Sequence, residues 1–433
     1  MNSTAPTTPT TTTTPADTAQ LIARLARAGR DAAQALHTAT TAQKNRALQN
    51  IADALAAGRE NILAANQKDL AAAAERGTSG ALLDRLKLTD ARFAAMLRGV
   101  HEVIALPDPV GTTLAEWTRP NGLRIQKIRV PIGLIAIIFE SRPNVTVDAS
   151  ILCLKSGNAT LLRGGSEAIH TNTALADAIT RGLVAAGLPP AAIQLIPTTD
   201  RAAIPALCAQ TGLVDLLIPR GGHGLITTVV ENARVPVIKH YDGICHLYIH
   251  TDADAEMAVA LTINGKCQRP GVCNAIETLL IDAAIAPTLL PPIADALRKH
   301  HVELRGCPAT QKILPGIKAA TEDDWRTEYL DLILSIRVVD DIQHALRHIA
   351  DYGSHHSDAI CTRDEAAARH FLAHCDSATV YWNASTRFTD GYEFGFGAEI
   401  GISTDKIHAR GPMGLEELCS YKYLITGNGQ LRQ

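Results

Sequence analysis

The sequence has no dominant charge: 41 lysines and arginines face 44 aspartates and glutamates, a net of −3. That near-balance leaves no electrostatic footprint for nucleic acid or for an anionic membrane surface. No apolar run approaches the roughly 18 residues that a membrane-spanning helix needs. The N-terminus lacks the basic and apolar regions of a secretory signal. Nine cysteines in 433 residues follow no regular framework, which predicts free thiols in a reducing compartment, the cytoplasm by default. Sixteen histidines show neither H-E-x-x-H nor paired-cysteine spacing, so no metal site is expected. There is no internal repeat.

What is present is an ordinary globular composition, 46% hydrophobic and 20% charged, in a chain long enough for two or more domains. Residues 1–15 form a Thr/Pro tract that cannot build a core and is expected to be a disordered tail. Leu48, Ile51 and Leu55 then recur at helical spacing behind Thr41, a candidate N-cap, and a second helix is expected behind Thr89. Leu123 to Ile128 alternates like an exposed strand, whereas Val130 to Phe139 is almost continuously apolar, as a buried parallel strand would be. A helix over Val147 to Leu154, a strand at Ala159 to Leu162, and a helix capped by Ser166 follow. Strands at Ile193 to Ile196, Val214 to Ile218 and Val235 to Ile238 continue the alternation. It resumes at Leu247 to Ile249, Ile276 to Ile281 and Leu332 to Val339. Strands alternating with helices at this spacing predict an α/β protein with parallel sheets and a ligand between two such domains.

The chemistry points to one stretch, Asn264 to Glu277, reading N-G-K-C-Q-R-P-G-V-C-N-A-I-E. Cys273 follows Pro270-Gly271, which suits a thiol presented on a tight turn beside a free backbone N–H. Lys266 and Arg269 could favour its thiolate; an inert buried cysteine is the plain alternative. Arg163-Gly164-Gly165-Ser166 joins a strand end to a helix start, a place where phosphates bind. Arg220-Gly221-Gly222 repeats the arrangement without a G-x-G-x-x-G fingerprint. Either could be a plain turn; together they suggest a nucleotide site. Arg142 and Asn144 stand after the most hydrophobic strand, where Asn144 could donate to a developing oxyanion. Asn383, Arg387 and Arg410 lie in polar C-terminal loops that could bind an anionic substrate or simply connect elements.

Taken together, V-P-I-G-L-I-A-I-I-F-E-S-R-P-N-V-T (Val130 to Thr146), C-L-K-S-G-N-A-T-L-L-R-G-G-S-E (Cys153 to Glu167), V-I-K-H-Y-D-G-I-C-H (Val237 to His246), Q-R-P-G-V-C-N (Gln268 to Asn274) and T-E-Y-L-D-L (Thr327 to Leu332) resemble the gamma-glutamyl phosphate reductase family of the aldehyde dehydrogenase superfamily. The likeness covers nearly the whole chain apart from the tail. It implies an aldehyde dehydrogenase-like fold: a Rossmann-like cofactor domain, an α/β catalytic domain and a small β oligomerisation flap. The matching divisions are 16–240 with a flap strand at 121–129, then 241–398, then 399–433 returning to the cofactor domain with a C-terminal flap strand. It also implies NADPH-dependent reduction of L-glutamyl 5-phosphate to L-glutamate 5-semialdehyde, in proline biosynthesis, by a homo-oligomer in the cytoplasm, with glutamate 5-kinase as a candidate partner.

By the same likeness Cys273 is the nucleophile and Asn144 the side-chain oxyanion donor. Arg163, Gly164, Gly165, Ser166, Arg220, Gly221, Gly222 and Glu328 bind the cofactor, and Arg142, Arg269, Asn383, Arg387 and Arg410 bind the substrate. Hydrolytic members of the superfamily carry a Glu-x-Gly-Gly base where this chain has His240-Tyr241-Asp242-Gly243. The missing carboxylate fits an acyl enzyme that must not meet activated water. Rival readings are a relative acting on another activated acyl group such as a coenzyme A thioester, a cysteine acyltransferase or hydrolase without redox cofactor, and a non-catalytic binding protein.

Overall fold

The computed structural model describes residues 15–78 and 80–432. The expected disordered tail therefore lies outside the described residues, except Pro15, which opens the first helix, Pro15–Leu36. Proline suits a first helical turn because its missing N–H has no intrahelical partner there. The chain divides into two compact units, one running to Val237 and resuming at Leu418, the other Ile238–Glu417. The return to the first unit thus comes later than residue 399. Residues 399–417 stay with the second unit because a hairpin of Gly401–Ser403 with Gly411–Met413 and an Asp405–Lys239 ion pair of 2.7 Å hold them there.

In the first unit the helix Thr41–Ala57 is capped by Thr40 rather than Thr41, in a reciprocal capping box with Gln43. Its apolar face, Leu48, Ile51 and Leu55, is fully buried. It lies against the helix Ile169–Ala185, where Gly182 comes so close that an added Cβ would stand 2.6 Å from the Ile51 Cα. That second helix takes no cap from Ser166. Its first N–H groups, at His170 and Thr171, donate instead to the Asp69 carboxylate at 3.2 and 2.8 Å.

Before the chain leaves this unit it forms six strands: β1 Thr113–Thr118, β2 Arg124–Pro131, β3 Leu134–Phe139, β4 Ala159–Gly164, β5 Ile193–Leu195 and β6 Leu216–Arg220. The last four form a parallel sheet in the order β5-β4-β3-β6. β3 is buried at all six positions, as its unbroken apolar run requires. That run does not begin at Val130, however. Val130 and Pro131 finish β2, and Gly133, at φ +133° with the Asp215 carboxylate where a side chain would stand, turns the chain into β3. Val235 to Ile238 contributes a single bridge, Leu217 to Val237, and no strand.

The second unit carries a seven-stranded, wholly parallel sheet. Its strands are β7 Cys245–Ile249, β8 Ile276–Asp282, β9 Glu303–Gly306, β10 Lys318–Ala319, β11 Ile333–Val339, β12 Ser357–Cys361 and β13 Thr379–Trp382, in the order β10-β9-β11-β8-β7-β12-β13. The hairpin strands β14 Gly401–Ser403 and β15 Gly411–Met413 stand apart from it. β16, Cys419–Thr426, returns to the first unit and pairs antiparallel with β2, Lys422 opposite Ile128. β1, β2 and β16 make an exposed three-stranded flap. Among the described residues no helix is long and apolar enough to cross a membrane, and all nine cysteines are free thiols.

Candidate active site

The Cys273 turn lies at the amino-terminal end of β8. The helix Ala255–Cys267, capped by the Asp254 carboxylate accepting from the Met257 N–H at 2.9 Å, delivers the chain to it. Val272 to Ala275 then closes a turn, Ala275 N–H to Val272 C=O at 3.1 Å, with a half-buried Cys273 at its second position. Gly271 does not take the left-handed conformation its sequence suggested; an added Cβ would make only an ordinary contact with the Leu330 carbonyl at 3.6 Å.

Three neighbours fix the turn. Asn274 donates its side-chain amide to the Thr389 carbonyl at 2.9 Å. Thr386 donates its hydroxyl to the Asn274 carbonyl at 2.7 Å. On the other side Cys245, at the start of β7, donates its thiol to the Cys273 carbonyl at 3.2 Å. Gly243 lies flush against that carbonyl, where a Cβ would fall 1.9 Å from the oxygen. Gly243, Cys245, Thr386 and Thr389 were not singled out as site residues from sequence. The available signal was that Gly243 and Cys245 fall inside one of the matching motifs.

Two expected arginines meet here. Arg387 donates its Nε to the Gln268 side chain at 2.9 Å. Its guanidinium is pushed below the ordinary arginine value mainly by burial, with Arg269 adding like-charge repulsion and Cys273 acting the other way. Arg387 therefore lies in the field of both the Cys273 sulfur and Arg269. Lys266 does not supply its charge to the thiol; it is fully buried in an ion pair with Glu277. Burial pushes the Glu277 carboxyl up to about 8 despite that lysine, and its other oxygen accepts from the Leu330 N–H at 3.3 Å. Leu330 sits at φ +54°, two residues beyond Glu328, whose charge also acts on Glu277.

Two other expected substrate residues are engaged elsewhere. Asn383, at φ +53°, accepts from the Thr362 N–H and donates to the Thr362 carbonyl, both at 2.9 Å, so its amide splices the end of β13 to the chain leaving β12. Arg410 is bonded to the Asp376 carboxylate at 2.9 Å and to its carbonyl at 2.8 Å. His240 donates its Nδ1–H to the Ile402 carbonyl at 3.0 Å, which leaves Nε2 as the unprotonated ring nitrogen when the ring is neutral.

In the first unit the expected cofactor residues, all but Glu328 of the second unit, gather at the carboxyl ends of β4 and β6. Arg163, only 6% exposed, reaches the Thr199 carbonyl at 3.4 Å, and its Nε has no hydrogen-bond partner. Burial pushes its guanidinium down, while Glu167 and Glu140 pull it back. The glycine turns are less open than their sequence suggested. The Gly222 N–H donates to Glu140 at 3.1 Å, and the hydroxyl of Ser141 donates to Glu167 at 2.9 Å. Gly164 and Gly165 leave room for the Asn172 amide and the Glu167 carboxylate, 2.1 Å from where Cβ atoms would stand. Ser166 is exposed beside them, and Arg142 is exposed at the end of β3. Asn144 opens the helix Asn144–Lys155 and donates one amide N–H to Asp148 at 2.8 Å. Burial raises the Asp148 carboxyl to about 6, with Asn144 and Arg220 opposing the rise.

A parallel α/β fold in two units, with a thiol clamped on a turn and flanked by two arginines, defines a cysteine-dependent enzyme of the aldehyde dehydrogenase type. Residues 1–324 match the aldehyde dehydrogenase family, and the chain belongs to it. It is an oxidoreductase of that family, whose enzymes use nicotinamide cofactors. The chain is 58% identical over 403 residues to a gamma-glutamyl phosphate reductase of Moorella thermoacetica, covering 93% of this chain and 96% of that one. A crystal structure of gamma-glutamyl phosphate reductase from Thermotoga maritima is similar with a TM-score of 0.94 and 48% identity, over 95% of this chain and all of that one. An acetylating aldehyde dehydrogenase from Geobacillus thermoglucosidasius, at 17% identity and a TM-score of 0.69 over 97% of this chain and 99% of that one, shares the fold alone.

Proposed function

We propose that this chain reduces L-glutamyl 5-phosphate to L-glutamate 5-semialdehyde with NADPH, releasing phosphate, as a step of proline biosynthesis. The relatives at 58% and 48% identity support the substrate. The observation that carries the chemistry is Cys273, held on its turn from both sides with Arg387 and Arg269 beside it. The Cys273 thiolate attacks the acyl carbon, the bond to the phosphate oxygen breaks, phosphate departs and a thioester remains. The two arginines bind the departing phosphate. The Cys273 backbone N–H stabilises the oxyanion.

When bound, a reduced nicotinamide would supply a hydride to the thioester carbon; the C–S bond then breaks, freeing the aldehyde and returning the Cys273 thiolate. The orphaned Nε of the buried Arg163 fits a nucleotide oxygen at the end of β4, with Arg220 as a further proposed contact. The Gly222 N–H, already bonded to Glu140, is not assigned to a phosphate. Because an acyl phosphate hydrolyses readily, glutamate 5-kinase is the proposed supplier, and the nine free thiols are consistent with a cytoplasmic site of action. The outer edges of β1 and β16 and the exposed Tyr421, Tyr423 and Ile425 support a homo-oligomer assembled through the flap.

Intact-mass measurement tests the covalent step. Wild type incubated with the semialdehyde and NADP, without phosphate, should gain one glutamyl group at Cys273; Cys273→Ala should gain none. An adduct on another residue would refute the assignment.

A further inference from the structure

The segment Gly243–Cys245 folds back on itself, the Cys245 N–H donating to the Gly243 carbonyl at 3.1 Å. That tight fold turns the bare Cα of Gly243 and the sulfur of Cys245 toward the same atom, the carbonyl oxygen of Cys273. We propose that Cys245 is a positioning residue for catalysis: its S–H donates to the Cys273 carbonyl and sets the backbone from which the nucleophilic sulfur is presented. This rests on the reading of Cys273 as the nucleophile.

Several features make the contact a directed one. Cys245 is fully buried, so its side chain is fixed by packing. Burial, with Asp358 and Cys273 as negative neighbours, pushes its thiol well above the ordinary value; it keeps its proton and remains a donor. The alternative partner, the His356 Nδ1, is 3.7 Å away and also lies 2.8 Å from the Ser357 hydroxyl. β7 and β8 slip register beside the contact, Cys245 facing Ile276 but His246 facing Thr278, which leaves Glu277 as an extra residue. Such bulges re-aim side chains next to reactive groups.

The physical consequence is specific. The direction of the Cys273 carbonyl is the ψ angle of that residue, and backbone angles decide which side-chain rotamers are open. The carbonyl oxygen also carries partial negative charge, and a donor anchors it on the Cys245 side, limiting its freedom to swing toward the thiolate. Gly243 supplies the space and Cys245 the hydrogen bond. Both are buried.

The test uses the full chain carrying Cys245→Ala, Cys245→Val or Cys245→Ser. It measures kcat and KM for semialdehyde oxidation, the iodoacetamide alkylation rate of Cys273 followed by peptide mass, and melting temperature with nucleotide binding as checks on folding. Losing the donor in the Ala and Val proteins should lower kcat and the alkylation rate together by about fivefold, leaving KM within about twofold. Ser retains a donor and should stay within about twofold of wild type. Folded Ala and Val proteins with unchanged kcat, or a folded Ser protein as slow as Val, would overturn the proposal. If Ala fails to fold, the Val and Ser pair decides it alone. Turnover retained by Cys273→Ala would sink the nucleophile reading, and the dependence of Cys273 alkylation on residue 245 would still be measured independently.

Discussion

Residues at this site differ less in kind than in what already holds them. Arg387 and Arg410 are both arginines in polar C-terminal loops, yet Arg410 is bonded to Asp376 while Arg387 shares the field of Cys273. Sequence placed both as anion binders because composition does not show whose charge is consumed by a neighbour. The Asn383 amide is likewise already engaged, by the Thr362 backbone. Cys273, Arg269 and their turn were legible because they are local, whereas Gly243 and Cys245 join the site from 30 and 28 residues upstream through the pairing of β7 with β8. Asp148 gives a prediction at this scale. Its folded-state carboxyl lies at about 6, above the ordinary 3.8. Its contribution to stability is therefore fully present below about pH 3.8 and lost as pH rises through about 6. Asp148→Asn, which keeps an acceptor for Asn144, should gain on wild type by on the order of 1 kcal/mol between about pH 4.5 and pH 7.5 in urea unfolding. An identical difference at the two pH values would contradict this.

Elements were read from periodicity more securely than their ends. The end of the flap strand β2 and the buried strand β3 appear in the sequence as one apolar stretch because neither Val130 nor Pro131 carries a polar side chain. Only Gly133, whose Cβ would collide with Asp215, marks the turn, and sequence does not reveal a clash with a carboxylate 82 residues away. The helix Ile169–Ala185 has the same character. Ser166 has the right chemistry for a cap, but a short 3₁₀ turn, Ser166–Ala168, intervenes, and Asp69 from the helix Arg59–Glu75 does the capping. Asp69 is 2% exposed and also accepts from the Thr171 hydroxyl. Removing it strands buried donors, so Asp69→Ala should cost about 2–3 kcal/mol, measured by urea unfolding, whereas Ser166→Ala should cost under about 0.5 kcal/mol. Equal costs would return the cap to Ser166.

The whole molecule interrupts one α/β unit with another and closes the first with its last strand, β16. The alternation of strands and helices announced both sheets, because each parallel crossover needs its own helix. The strand order was not announced; it depends on side chains meeting across the sheet. The flap exposes apolar residues, Ile425 at 63%, that nothing else in the described chain covers. Tyr423→Asp with Ile425→Asp should shift the assembly toward smaller species in light scattering while the melting temperature of the α/β units changes little; an unaltered mass would place the interface elsewhere.

Exchange of a Cys273 thioester with phosphate rather than water is read out by the reverse reaction. NADP reduction by glutamate semialdehyde should require inorganic phosphate in the wild type and vanish in Cys273→Ala. Steady turnover without phosphate, or turnover that survives the loss of Cys273, would contradict the account.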